Sequence, residues 1–257
     1  MNVVLSTLNS KFIHSSLALR YLKAYGQAHG QAYDIVEYTI NMPVLHILSD
    51  ITERNIDVLG FACYIWNIDM TLHVVDMVKA VRPDIKIILG GPEVSFTADE
   101  ILNRCTAIDY VVQGEGEEAF YQLISALIDG KDGLEDEIPG VRGRHISGQL
   151  LGSTDTVEVK DLSTIPFPYV EEDMVDLEHK IIYYESSRGC PFSCQYCLSG
   201  NKNTVRFFPQ NRTLKELQWF IDHKVKQVKF VDRTFNCASK HHRPLMEFMR
   251  DADTETN

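Results

Sequence analysis

The chain has 257 residues, 44% hydrophobic and 24% charged, with 25 Lys and Arg against 36 Asp and Glu for a formal net charge of −11. That length and composition allow one large or two small soluble domains with a sizeable core. The charge excludes broad binding along a nucleic-acid phosphate backbone, which needs clustered Lys and Arg, though it leaves room for a local basic patch. No apolar run approaches the roughly 20 residues of a membrane helix. The chain starts on a strand pattern and not on a basic then apolar leader, so a cytoplasmic protein with no membrane partner is expected.

Residues 2–7 are short and apolar, a strand. Residues 15–29 carry Leu17, Leu19, Tyr21, Leu22 and Tyr25 at mostly helical spacing, and Gly30 is the stop. A strand over 34–40 and a helix over 44–54 follow, with Pro43 just before the helix. Next come a buried strand at 58–64, a helix at 68–82, and a strand at 86–89 that runs into Gly90-Gly91-Pro92. A helix at 97–104, a strand at 110–113 that runs into Gly114-Glu115-Gly116-Glu117, and a helix at 118–129 close the series. Five apolar strands alternating with helices predict an α/β domain over 1–130, a five-stranded parallel Rossmann-like sheet with helices on both faces. In such sheets ligands bind at the carboxyl ends of the strands.

Residues 131–179 break this rhythm and are expected as a surface linker. Residues 131–137 are polar and acidic, 141–151 form a small hairpin turning at Ser147-Gly148, and Ile165-Pro166-Phe167-Pro168-Tyr169 is extended because residues before proline avoid the helical region. Over 180–257 the alternation resumes. A strand at 181–185 runs into a cysteine-rich loop. A helix at 214–223 has Thr213 as its N-cap and Glu216 as the capping-box partner. A strand at 225–232 and the start of a helix at 244–250 complete the pattern.

Three of the six cysteines, Cys190, Cys194 and Cys197, fall within eight residues at the spacing Cys-x-x-x-Cys-x-x-Cys. In a cytosolic chain this reads as a ligand set and not as disulfides. Three thiolates are one fewer than a structural zinc site or an ordinary electron-transfer 4Fe-4S cluster takes. The pattern therefore predicts a cluster with one iron left open, the other reading being a metal knuckle completed by Cys237 or a histidine. Cys63 and Cys105 lie in apolar contexts and are expected as small buried hydrophobes, and isolated Cys237 as a partly buried thiol.

The loop resembles that of the radical S-adenosylmethionine (SAM) enzymes, with Arg188-Gly189 before it, Pro191 within it and the aromatic Tyr196 just before the third cysteine. The resemblance implies that Cys190, Cys194 and Cys197 bind three irons of a 4Fe-4S cluster and that the fourth iron takes SAM. One electron then cleaves the sulfonium bond, releasing methionine and a 5′-deoxyadenosyl radical. It places Tyr196 near the adenine, and Asp232 at a strand end that borders the methionine moiety. There Asp232 either accepts from the SAM amino group, orders a neighbour, or simply satisfies turn backbone groups. An electron donor such as flavodoxin or ferredoxin is the implied partner.

With the preceding α/β domain, nearly the whole chain resembles the cobalamin-binding radical SAM family. Gly90 and Gly91 match that family's diglycine, where missing side chains let the corrin tail approach the backbone. Gly114 and Gly116 match its Gly-Glu-Gly-Glu turn, whose other reading is a tight turn with glutamates at a helix N-terminus. The Asp-x-His-x-x-Gly motif of His-ligated cobalamin proteins is absent after the first strand, where the chain reads Leu8 to His14. Cys63-Tyr64-Ile65 stands where Ser-x-Leu is found. Many members lack the histidine, and His14 is not assigned to cobalt.

Sixty residues follow Cys197, room for about two βα units where a radical SAM partial barrel has six, so residues 180–257 are expected to be a truncated core, poorly ordered or leaning on the first domain or on another copy of the chain. Three functions stay open. The chain is a cobalamin-dependent radical SAM enzyme, possibly a methyltransferase; a non-catalytic cofactor- or partner-binding module; or a radical SAM enzyme without cobalamin.

Overall fold

The five apolar strand patterns pair in parallel in one sheet, and two further strands extend it to seven. This is seen in a computed structural model that describes residues 1–135, 137–198 and 204–252. The elements are β1 (Val3–Asn9), α1 (Leu17–Ala28), β2 (Tyr33–Thr39), α2 (Val44–Glu53), β3 (Val58–Ala62), α3 (Ile68–Val81), β4 (Lys86–Gly90), α4 (Ala98–Arg104), β5 (Tyr110–Val112) and α5 (Gly116–Ile128). The expected hairpin is β6 (Val141–Arg144) and β7 (Leu150–Gly152), joined antiparallel to β5 and to each other. It adds two strands to the parallel five, so residues 141–152 are part of the sheet. The chain divides into two units, one of Met1–Phe12 with Ala18–Val159, the other of Ile13–Leu17 with Lys160 onward.

Period-two alternation sends successive strand residues to opposite faces, and both faces are apolar. Val4, Leu8, Leu59, Phe61, Ile87, Leu89 and Val111 pack in one cluster with residues of α2, α3 and α4. Val3, Leu5, Val58, Ala62, Ile88, Tyr110 and Val112 pack in another with residues of α1 and α5. Covering both faces is what a parallel sheet requires, and each fully buried Leu or Ile contributes about 1.5–3 kcal/mol. The order 2-1-3-4-5 is the doubly wound, flavodoxin-like arrangement, whose switch point lies between β1 and β3 at their carboxyl ends.

The second unit contains α6 (Met174–Leu177), β8 (Ile182–Tyr184), β9 (Ser187–Gly189), β10 (Val205–Phe207), α7 (Gln210–Asp222), β11 (Val228–Phe230) and α8 (Ser239–Asp251). Strands β8 and β11 are parallel. Their helix-facing residues Ile182 and Tyr184 join Tyr169, Leu177, Leu217, Phe220, Val225 and Leu245 in a core. Phe220 sits within 5.6 Å of the rings of Phe167, Tyr169, Tyr184 and Trp219. The segment 165–169, expected on a surface, thus supplies core aromatics, and Tyr169 is 2% exposed.

Helix α7 corrects the capping reading. It starts at Gln210, so Thr213 lies inside it, buried, with its hydroxyl donating to Pro209 O at 3.3 Å. Glu216 does not turn back to a cap. Its carboxylate accepts from Tyr184 Oη at 2.6 Å and from Arg212 Nε at 2.5 Å. A buried tyrosine needs a partner for its hydroxyl, and that tertiary demand overrides the local motif. Among the described residues no helix is long and apolar enough to cross a membrane.

Candidate functional site

In the first unit the carboxyl edge is built from the loops after β3, β4 and β5. Asn67 organises the first of these. Its Nδ2 donates to Thr7 Oγ1, Leu8 O and Ala62 O, and its Oδ1 accepts from Tyr64 N at 2.7 Å. The loop so fixed presents Tyr64 and Trp66 stacked at 4.5 Å with planes 3° apart. Ile65 and Trp66, and Phe96 after β4, are exposed large hydrophobics. Exposed apolar side chains thus stand on neighbouring loops of one sheet edge, the kind of surface that a broad, apolar ligand would meet.

The four candidate glycines have different reasons for being glycine. A Cβ on Gly91 (φ +104°) would lie 2.5 Å from Cys63 O, and one on Gly114 (φ +88°) 2.2 Å from Val157 O. Both are demanded by the protein's own backbone. A Cβ on Gly90 would meet nothing nearer than Val112 O at 3.6 Å, and on Gly116 nothing nearer than Val112 Cγ1 at 3.4 Å. Of the diglycine, only Gly90 could carry a side chain without a clash, its Cβ position lying at ordinary contact distance from Val112. The structure ties the two glycine turns together through Ser95, which sequence reasoning did not single out. Ser95 is buried, its Oγ donates to Gly91 O at 2.8 Å and accepts from Gly114 N at 3.0 Å. Glu115 is bound into the same turn, accepting from Val159 N at 2.8 Å. His14 belongs to the second unit, where its Nδ1 lies 2.6 Å from Tyr183 Oη and its backbone bridges Ile181.

In the second unit, β8 leads through Ser186 and β9 into the cysteine loop. Asp232, just beyond β11, holds that passage. Its carboxylate accepts from Ser186 N at 3.0 Å, Ser186 Oγ at 2.8 Å and Ser187 Oγ at 2.5 Å. Since Ser186 Oγ donates to Asp232, it accepts from His241 Nε2 at 3.1 Å, which fixes the tautomer of that buried histidine. Burial pushes the His241 pKa below its ordinary value, against the pull of the Asp232 charge. Cys190 and Cys197 are half-exposed and Cys194 is exposed. A turn joins the last two, with Cys197 N donating to Cys194 O at 3.0 Å. The Cys190 thiol is held below its usual pKa by a hydrogen bond with Thr234, then by the Phe192 backbone N–H and the Arg233 charge. Iron takes a cysteine as its thiolate, and the shift runs in that direction. Tyr196 is 92% exposed.

Among the described residues one other group has the spacing of a metal site, Asp132, Glu135 and His145. Ser147 N donates to His145 Nδ1 at 3.2 Å. The neutral ring therefore carries its proton on Nε2, which faces Asp132 Oδ2 at 3.7 Å, and that nitrogen has no lone pair for a metal.

Residues 3–124 match the B12 binding domain family. The chain is 31% identical over 216 residues to the cobalamin-dependent radical SAM methyltransferase TokK of Streptomyces tokunonensis, covering 79% of this chain and 31% of that one. Over these stretches the chain is similar to cobalamin-dependent radical SAM proteins. It is also 32% identical over 191 residues to the 2-(S-pantetheinyl)-carbapenam-3-carboxylate methyltransferase of Streptantibioticus cattleyicolor, covering 70% of this chain and 28% of that one. The radical SAM enzyme OxsB, solved with aqua-cobalamin and S-adenosylmethionine bound, shares the fold over the whole chain at a TM-score of 0.79 and 16% identity, with 38% of OxsB covered. These relatives are enzymes, and cobalamin and S-adenosylmethionine, two of the cofactors expected from the sequence, are cofactors of theirs. The chain spans about a third of the length of the curated relatives named here.

Proposed function

We propose that this radical SAM protein holds a 4Fe-4S cluster on Cys190, Cys194 and Cys197, binds SAM at the open iron, and starts radical chemistry of the methyl-transfer kind with cobalamin held on its first unit. The observation that carries the reading is the cysteine loop itself, three thiols at family spacing launched from a strand end that Asp232 holds in place. When bound, the cluster on Cys190, Cys194 and Cys197 would supply the electron for SAM cleavage, and cobalamin would supply a methyl carrier. The chain's own residues supply position. Thr234 and Arg233 favour the thiolate of Cys190. Tyr196, exposed beside Cys197, is available to an adenine face, and Asp232 acts through Ser186 and Ser187 rather than on SAM.

On the first unit, the stacked Tyr64 and Trp66 with Ile65 and Phe96 fit the flat, largely apolar body of a corrin, and Gly90 admits its tail. Gly91, Gly114 and Gly116 shape the turns around it. An electron donor of the flavodoxin or ferredoxin type is the partner this chemistry needs, and the cytoplasm, where thiols stay reduced, is its compartment.

Titration with hydroxocobalamin tests the corrin reading. Wild type is expected to take up about one equivalent, the single site of this domain family, with the visible spectrum of cobalamin lacking a nitrogen below cobalt. His14→Ala is expected to leave that spectrum unchanged, because His14 is engaged with Tyr183. No uptake, or a spectrum that changes in His14→Ala, contradicts it.

A further inference from the structure

Cys190 Sγ lies 3.5 Å from Thr234 Oγ1. While Cys190 is a thiol either atom can donate. Once it binds iron as a thiolate the sulfur has no proton and can only accept, so the hydroxyl must donate. We propose that Thr234 tunes the iron–sulfur centre, its O–H···S bond to Cys190 stabilising the reduced cluster and raising its reduction potential. This rests on the three-cysteine reading above.

Both ends of the contact are built into the fold. On one side Asp232 anchors Ser186 and Ser187, from which β9 runs to Cys190. On the other, Thr234 stands two residues after Asp232, and its carbonyl accepts from Cys237 N at 3.1 Å. Phe235 follows it, packed 4.9 Å from Phe230, whose ring lies 5.4 Å from that of Tyr184. One carboxylate thus ties together the two strand ends that present sulfur and hydroxyl.

Reduction adds an electron whose charge spreads onto the sulfurs. A donor aimed at a ligand sulfur stabilises that more negative state, and hydrogen bonds to sulfur are among the chief levers on cluster potential. Arg233 adds a positive charge in the same direction, but it is exposed and open to screening by salt. Thr234 acts by direct contact.

The test is an EPR-monitored redox titration of anaerobically reconstituted wild type, Thr234→Val and Thr234→Ser. Valine keeps the shape of threonine and removes the donor; serine keeps the donor. The midpoint of Thr234→Val is expected to shift to more negative potential and that of Thr234→Ser to match wild type, at equal iron and sulfide content. The valine shift is expected to persist at high salt, whereas any shift in Arg233→Gln shrinks. Equal midpoints for wild type and Thr234→Val, or a valine shift that disappears in salt, overturn the proposal alone. A wild-type chain that holds no cluster overturns the reading beneath it as well.

Discussion

Replacing Gly91 with alanine is expected to destabilise the first unit by about 4 kcal/mol, combining the strain of a disfavoured backbone region with overpacking. The added Cβ would lie 2.5 Å from Cys63 O and 3.0 Å from Cys63 N, and the residue sits at φ +104°. Neither neighbour can yield easily. Cys63 is fully buried at the end of a central strand, and its N–H donates to Gly90 O at 2.7 Å. A loss of that size lowers the melting temperature by roughly 10 °C for a chain of this length. Gly90→Ala is the contrast. Its Cβ would meet ordinary contacts from 3.6 Å outward, so folding is retained while a methyl is added at the position proposed to admit the corrin tail. Chemical unfolding with cobalamin uptake separates the two. Gly91→Ala is expected to lose stability, and Gly90→Ala to lose affinity at near wild-type stability. Equal unfolding midpoints for Gly91→Ala and wild type contradict the packing account.

Asp232→Ala is expected to release the cysteine loop. It leaves the Ser186 N–H and two serine hydroxyls without their acceptor, and Ser186 is 0% exposed. An unpaired buried donor costs about 1–3 kcal/mol, and water reaches the outer serine more readily than the inner, so the total is about 3 kcal/mol. The loss falls on the strand end that positions Cys190. Iron content after reconstitution is therefore expected to fall well below that of wild type, while the first unit still binds cobalamin. Asp232→Asn keeps the shape but turns an amide N–H₂ toward hydroxyl donors, and is expected to fall between. Wild-type iron content and melting in Asp232→Ala contradict the anchoring role.

The parallel sheet was legible because its signal is local. Apolar runs such as 58–62 and 86–89 need no partner to be recognised, and the expected order of elements follows from their alternation. The three-cysteine pattern was legible because its thiols are neighbours in sequence. What the sequence hid was pairing at a distance. Ser95 joins glycine turns from two loops, with Gly114 nineteen positions away. Thr234 meets Cys190 across 44 positions, and His241 reaches Ser186 across 55. Serine, threonine and histidine at such sites look like surface residues until the chain is folded. Thr213 and Glu216 failed in the opposite sense. They satisfy the capping pattern, but the buried Tyr184 hydroxyl claims Glu216, and helix α7 runs past the expected cap. The glycines show a third limit. Composition marks Gly90, Gly91 and Gly114 alike, while only the fold shows which answer to backbone packing and which leaves space.

The most direct test of the three-cysteine centre is anaerobic iron–sulfide reconstitution followed by EPR of the dithionite-reduced protein with and without SAM. The predicted result is about four irons and four sulfides per chain, as one 4Fe-4S cluster requires, with a signal that changes when SAM is added and is lost when Cys190, Cys194 and Cys197 are replaced together by alanine. A chain that takes up no cluster, a cluster that survives the triple replacement, or a signal indifferent to SAM contradicts it.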